Sequence, residues 1–454
     1  MIVLFMVSAG MFQCRPEDEL FDFDFTGGLE FSTDTVLFDT IFTGVGSITK
    51  RFKIYNRHAK ALRIDRVQLA GGAGSPYKIY VSGQENTDYH DLEILGKDSM
   101  LVLIEAFIDP KDENMPYLVA DSMIFETNGK SQQVKLVAWG QDANYLGNEV
   151  LDCDITWTKE RPYVIYGSIV IDSLCQLTVQ KGTKIFCAKG AFIYAKGNIV
   201  AQGTAEERIV FRNERLDPAF ENIPGQWGGI FLLPGSHGNW MEFTNIRNAQ
   251  YGIRLGSPDQ DTIPDIVMIN MIIENMSNAG ILAFTSDLYA ENVLVNNCIE
   301  FNCGNIAGGN YSYRHCTFGN YQFDFNRQNP SFYISDNILL NDNSTIVEDI
   351  SVEISNCIVE GNLKDELLID LGGGADYSFA FTHSMFRSTI EGLDTLGNIL
   401  NQDPAFIDPA RHNFRLDTLS PAKDRGVFIG VLTDLDNKTR DAMPDMGAYE
   451  RIEK

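Results

Sequence analysis

Positive charge is scarce in this chain. Its 454 residues carry 36 Lys and Arg against 62 Asp and Glu, a formal net charge of −26. Nucleic-acid binding is excluded as a principal function, because neutralising phosphates takes clustered cations. The acidity bears on solubility or a cation-binding exterior, not on fold. Long apolar runs are also missing: beyond the first few residues, no stretch of about 18 or more apolar residues occurs, so no helix is expected to span a membrane. Cysteines number 8, and the closest pair, Cys298 and Cys303, lacks the paired C-x2-C spacing of a zinc site and has no His cluster beside it. Buried thiols acting as small hydrophobes are expected instead. Wholesale disorder is excluded by a hydrophobic content of 44%. At roughly 100–200 residues per domain, two domains are the natural expectation.

Met1 to Met11 reads MIVLFMVSAGM, an apolar stretch of signal-peptide length, followed by Phe12-Gln13-Cys14 and a polar Arg15-Pro16-Glu17-Asp18-Glu19. This pattern resembles a bacterial lipoprotein signal, and the resemblance implies that Cys14 is the lipidated first residue of the mature chain. Glu17-Asp18-Glu19 resembles the surface-export signal of Bacteroidota lipoproteins. Gln13 stands where a small residue is usual, and no basic residue precedes the apolar run. Membrane attachment is therefore expected through a lipid anchor alone. With Cys14 set aside seven cysteines remain, and an odd number argues against a full disulfide framework.

Residues 15–30 are acidic and read as a tether. Residues 31–145 alternate with period 2: Phe52 and Ile54 around Lys53, Leu62 and Ile64 around Arg63, Val134, Leu136 and Ala138 around Lys135. Turn clusters at Gly71–Pro76, Asp109–Asn114 and Asn128-Gly129 separate the segments. Seven or eight strands at this spacing predict an antiparallel β-sandwich of immunoglobulin-like type. A linker is expected over 146–160.

From 161 onward no helix-period stretch of any length occurs, and short β-branched segments alternate with Gly and Asn. One pattern, apolar-x-apolar-x-polar, starts at Met241, Ile266, Leu288, Tyr311, Phe332, Val352 and Phe379. Its polar column is Asn245, Asn270, Asn292, His315, Asp336, Asn356 and His383, and a second polar column follows five residues on, including Gln250, Asn275 and Asn297. Fixed cores with variable gaps predict a coil with loop insertions. Short strands that cannot bury an apolar face alone do so by stacking at about 4.8 Å per rung. Asn suits the corner of each coil, since it tolerates the left-handed conformation and can bond both backbone and the next Asn. The reading is all-β: a sandwich followed by a right-handed parallel β-helix of about twelve coils over 161–454.

Arg161-Pro162-Tyr163-Val164-Ile165-Tyr166-Gly167, Gly197-Asn198-Ile199-Val200-Ala201-Gln202-Gly203-Thr204 and Gly225-Gln226-Trp227-Gly228-Gly229-Ile230 resemble the opening coils of right-handed parallel β-helix (pectin-lyase-like) lipoproteins of Bacteroidota. Ser420-Pro421-Ala422-Lys423-Asp424-Arg425-Gly426 and Asp445-Met446-Gly447-Ala448-Tyr449-Glu450 resemble their closing module. The resemblance implies the fold but leaves function open, because this fold hosts lyases, hydrolases, epimerases and non-catalytic adhesins.

Chemistry is hard to place. Asp259, Asp261 and Asp265 near Arg254 could form a carboxylate cluster, but they sit in a Pro-bearing loop where acidic residues need no function. His315 and His383 fall in the ladder column and read as structural. Leu371-Gly372-Gly373-Gly374 reads as a turn. Asp434, Asp436 and Asp441 alternate like a faint calcium loop, without the later Gly and bidentate Glu; a plain turn is the competing reading, and Ca²⁺ is the one cofactor considered. Phe220, Trp240 and Tyr251 near the inserted segment 212–227 are candidate sugar-contacting aromatics, whereas Trp227 reads as packing. The expected function is non-catalytic binding or scaffolding at the cell envelope, with a glycan or an outer-membrane protein as partner. A polysaccharide lyase or hydrolase and a structural stalk are the alternatives. Three convergent carboxylates with a basic residue would favour the enzyme; an aromatic platform without them would favour the binder.

Overall fold

The computed structural model describes residues 21–22, 27–256, 261–321 and 327–451. It divides into two compact units, up to Asp142 and from Ala143 onward. Cys14 and the acidic residues after it lie outside the described residues.

The first unit holds two five-stranded sheets. One runs Glu30–Phe31, Lys50–Tyr55, Ser99–Ala106, Tyr77–Val81, Gln84–Glu85; the other runs Thr35–Phe42, Lys130–Gln141, Tyr117–Thr127, Leu62–Leu69, Asp88–Ile94. All neighbours are antiparallel except Thr35–Phe42 with Lys130–Gln141. The expected alternation holds: Phe52, Ile54, Ile64, Val134, Leu136 and Ala138 all enter one core. The end of the expected tether is part of this unit. Phe21 bridges to Ala61, and Leu29 is buried with its N–H donating to Gln132 Oε1 at 2.6 Å.

The second unit is a parallel β-helix. Three stacks of short strands form its sides. Sheet III has eleven strands, from Asn144–Leu146 to Ile399–Leu400. Sheet I, from Glu149–Val150 to Leu367–Asp370, and sheet II, from Thr156–Trp157 to Tyr377–Thr382, are joined into one, because Ala279–Glu291 and Phe301–Arg314 run through the corner between them. Residues of equal character stack at equal register. On sheet III the inward column reads Ile185, Phe211, Ile246, Ile273, Val295, Phe318, Val359, Phe386. On sheet I it reads Ile169, Ile193, Ile230, Ile253, Ile281, Cys303, Phe332, Leu367. All are buried, each contributing roughly 1.5–3 kcal/mol if apolar and large.

Two expectations about the junction are corrected. Residues 146–160 are not a linker: Asn144–Leu146, Glu149–Val150 and Thr156–Trp157 make the first coil and pair in parallel with the second. Nor are all cysteines thiols. Cys153 and Cys175 form a disulfide, 22 residues or one coil apart, with Cα atoms 4.8 Å apart across neighbouring rungs. Cys187, Cys298, Cys303, Cys316 and Cys357 are buried thiols.

The polar column is real but its membership shifts. Asn270, Asn292, His315, Asn356 and His383 occupy the corner between sheets II and III with φ of 53°, 51°, 51°, 54° and 45°. Asn245 is not in it. Met241 pairs with Met268, two positions from the sequence alignment, so Phe243 (φ 43°) takes the corner and Asn245 sits in the next strand. Asp336 is not in it either, because Phe332–Ser335 belongs to sheet I; period-2 alternation does not say which side of a coil a strand lies on. Asp336 is buried, and Gly373, Gly374 and Ala375 donate backbone N–H to its carboxylate at 2.9, 2.8 and 3.2 Å. Burial opposes the charge, yet these donors and Asn337 hold its pKa below the ordinary value. The glycine run is thus a cradle for an internal anion.

Within the column, Asn292 Nδ2 donates to Asn270 Oδ1 (2.9 Å) and to Thr433 O (2.8 Å), and Arg440 donates to Asn292 Oδ1 (2.8 Å). Asn356 Nδ2 meets His315 Nε2 at 2.8 Å. A second ladder, between sheets III and I, links Asn213, Asn248, Asn275 and Asn297 by amide bonds of 2.8, 3.1 and 3.5 Å. The closing module lies along the outside of sheet III. Leu416, Ala422 and Met446 cover Ile358, Met385 and Ile399, while Phe414, Leu435, Ala448 and Tyr449 cover Leu294. Gly447 has φ 91°, and a Cβ there would stand 2.7 Å from Thr317 Oγ1, which explains a glycine at this contact.

Asn292→Ala is expected to lower stability by about 1–3 kcal/mol, because it orphans Asn270, Thr433 and Arg440 partners; chemical denaturation of the full chain measures it. His315 gives a pH test. Burial first, then Arg440, pushes its pKa well below the ordinary value. Asn356 Oδ1 accepts from Val427 N (3.0 Å), so Asn356 Nδ2 is the donor and His315 Nε2 must stay unprotonated. A depressed pKa means the unfolded chain takes up a proton that the folded chain refuses. The stability is therefore complete above the unfolded value and lost as pH falls below it. Relative to His315→Asn, the natural chain should lose about 1.4 kcal/mol per pH unit below about pH 6.5. Parallel curves of stability against pH for the two would refute this.

Candidate functional site

Much of sheet III is covered by the chain's own C-terminal module, and the outward row of sheet I is a candidate ligand surface. Outward residues of sheet I alternate with the inward column, and their register sets them in one row along the axis: Tyr194, Phe231, Arg254, Leu282, Gly304, Tyr333. Five rung steps make this row about 24 Å long. At its first end the aromatics interlock. Phe192 and Tyr194 stack at 5.6 Å, Phe231 meets each edge-on at 5.2 and 5.6 Å, and Tyr251 meets Phe231 edge-on at 5.5 Å. The Arg254 guanidinium lies between Phe231 (5.2 Å) and Phe284 (5.0 Å), a double cation–π contact. Farther along, Phe301 and Tyr333 stack at 5.4 Å, and Tyr333 Oη donates to Asp370 Oδ2 at 3.2 Å. Gly304 leaves a dip between the two clusters, filled by Leu282, whose Cδ1 would lie 2.9 Å from a Cβ there.

This row can lay flat apolar rings against the C–H faces of a ligand while Arg254, Asp370 and the tyrosine hydroxyls bond its polar edges. Of the three candidate aromatics only Tyr251, which pairs in register with Ala279, touches it, edge-on against Phe231. Trp240 is on sheet II, in register with Val200 and Val267. Phe220 ends the 3-10 turn Pro218–Phe220, with Arg215 3.5 Å above its ring. Trp227 is wholly buried and donates to Arg247 O at 2.8 Å, the packing role expected of it. The sequence does not single out Phe192, Tyr194 and Phe231, and it sets Arg254 beside the acidic loop instead of these rings; the Phe-x-Tyr alternation at 192–194 is the available signal, but rung register is needed to join it to Phe231 and Arg254.

The acidic candidates do not converge on a reaction centre. Asp259 lies outside the described residues. Asp261 Oδ1 accepts from Ile263 N (2.7 Å), and the buried Asp265 accepts from Asp287 N (3.0 Å) as part of a corner ladder. Asp434 Oδ1 accepts from Asp436 N and Lys438 N, and its other oxygen from Glu450 N. Asp436 pairs with Arg415 at 2.6 Å, and Asp441 accepts from Met443 N at 2.8 Å. These contacts make the segment a turn closed on itself, and among the described residues no group of three metal-binding side chains forms. Glu360 and Glu366 are enclosed, each paired with an arginine, Arg387 and Arg327. Burial lifts Glu360 to about 7, against the pull of Arg387; enclosure keeps it from any substrate.

A family model described as a pectate-lyase like β-helix domain matches residues 148–262. No curated protein matches the chain. Among solved structures, a family 123 glycoside hydrolase from Clostridium perfringens, studied for glycolipid glycan hydrolysis, is 10% identical over 27% of this chain and 30% of its own, with TM-score 0.19. A protein of unknown function from Porphyromonas gingivalis W83 is 12% identical over 28% of this chain and 60% of its own, with TM-score 0.18. The catalytic domain of a GH87 α-1,3-glucanase with bound tetrasaccharides is 11% identical over 83% of this chain and 91% of its own, with TM-score 0.18. The chain spans less than a third of the first of these. The class that fold and site define is a two-unit all-β protein with a pectate-lyase-like parallel β-helix.

Proposed function

We propose that this protein is an exported, lipid-anchored surface protein of the Bacteroidota type, with an immunoglobulin-like sandwich as its first unit, that binds glycan along sheet I without cleaving it. The aromatic row from Tyr194 to Tyr333 carries the reading. Its rings and Arg254 provide the stacking and edge contacts that sugars need, and among the described residues the candidate carboxylates Asp261 and Asp265 accept from backbone amides. The Cys153–Cys175 disulfide supports an oxidising destination. A lipid on Cys14 would supply the anchor, for which more than one acyl chain is needed to hold firmly.

A glycan array on the full chain tests the binding. Tyr251→Ala and Arg254→Ala should each weaken a positive glycan about tenfold, or about 1.4 kcal/mol. No unsaturated product absorbing in the ultraviolet and no new reducing ends should accumulate from acidic or neutral glycans. Product formation would replace the binder with an enzyme. Cys14→Ser should release the protein from the outer membrane, scored by fractionation and by protease shaving of intact cells; unchanged attachment would remove the lipid anchor.

A further inference from the structure

A second polar recess lies on a different face. On the outside of sheet III, a cavity of about 380 Å³ is lined by Arg247, Ile272, Glu274, Leu294, Arg411 and His412. Asn222 and Glu221 from the inserted segment and Tyr449 from the closing module complete it. Segments distant in sequence are thus brought together by the way the C-terminal module folds back over the coils. Arg247 and Glu274 are register partners on adjacent rungs. The 3-10 turn Pro409–Arg411 begins with Asp408 accepting from Arg411 N and ends with His412 at φ 59°, which turns His412 inward and leaves Arg411 at the rim.

The charges inside are specific. Glu274 is buried, with Arg247 Nε 2.6 Å from one oxygen and His412 Nδ1 2.7 Å from the other. Asn297 Nδ2 stands 2.8 Å from His412 Nε2, so the imidazole donates to Glu274 and accepts from the asparagine ladder. Burial disfavours the Glu274 anion, yet His412 and Arg247 hold its pKa below the ordinary value. It stays ionised and its oxygens are taken. Arginine donors remain: Arg247 turns Nε to Glu274 and reaches Asn222 Oδ1 through Nη2 at 3.3 Å, which leaves Nη1, and the Arg411 side chain, 87% exposed, has Asp408 at 3.7 Å. Planar guanidinium groups with unspent N–H donors match a carboxylate's two oxygens. Ile272 gives an apolar wall, backed by the buried Leu294. Glu221 at the mouth and the chain's −26 disfavour polyanions, so one negative charge is the right number. The volume suits a ligand of monosaccharide size.

We propose that this cleft binds a small hydroxylated monocarboxylate, a sugar acid, through Arg247 and Arg411, separately from sheet I. Isothermal titration of the full chain with glucuronate is the test, with glucose as the uncharged counterpart and inorganic sulfate as the bare anion. Glucuronate should bind one per chain, and glucose at least about tenfold more weakly. Arg411→Ala, at an exposed position that leaves the fold intact, should weaken glucuronate by about tenfold or more, with Arg411→Lys between the two. Tyr251→Ala should leave it unchanged. Three results would overturn the proposal: no glucuronate binding, glucose or sulfate binding as tightly, or binding lost in Tyr251→Ala but kept in Arg411→Ala. The last would move the ligand to sheet I without touching the glycan reading.

Discussion

Everything in the second unit depends on neighbouring coils meeting in register at their corners. A strand of three to five residues has too few backbone bonds to stand alone, and an apolar inward column is worth its burial only if each rung sits directly above the last. Corners threaten that alignment, since turning the chain leaves backbone groups unpaired inside. Left-handed residues at Asn270, Asn292, His315, Asn356 and His383 make the turn, and their side chains bond the next coil. The same device serves the corner between sheets III and I through Asn213, Asn248, Asn275 and Asn297. Where insertions lengthen a coil, as between Gly203 and Trp227, the ladder resumes at the next rung because the corner, not the loop, sets the register.

The closing module uses this framework. Arg440 reaches Asn292, Val427 reaches Asn356, and Gly447 N donates to Asn356 O at 2.7 Å, so the module docks on the ladder corner and spreads over sheet III. Ile358, Met385 and Leu294 point outward from that sheet and would otherwise be exposed apolar surface. Arg440 and Glu450 are buried partners at 3.1 Å within the module, a pair whose desolvation is offset by further bonds to Gly447 O and Ala448 O.

Much of this architecture was readable from residues alone. Alternation at Phe52-Lys53-Ile54 placed the sandwich core, and the recurrence of Asn and His after apolar pairs placed most of one corner. The failures have a common cause. Phe243 shows that a corner does not require a polar residue, so aligning on polarity put Asn245 two positions off. Asp336 shows that a strand's alternation is the same on every side of a coil. The disulfide was missed because a 22-residue spacing means nothing until one coil is known to be that long. Tyr251 was found by its type and neighbourhood, but Tyr194, Phe231 and Arg254 are joined to it only through rung register, a property of pairing and not of any local run.

His412 shows how structure and site come from one feature. Its Nε2 ends the second asparagine ladder and its Nδ1 ends on Glu274, so a single ring ties corner register to the floor of the sheet III cleft. The ring reaches that place only because the closing module has already docked. A coil stack without the module would leave Glu274 with Arg247 alone, a buried carboxylate lacking half of its neutralising contacts. The module is therefore both the cover of sheet III and a contributor to the recess it forms there, while sheet I, untouched by it, keeps its aromatic row open. Two faces of one solenoid thus acquire different chemistry from a single folding decision: which side the C-terminal segment lies on.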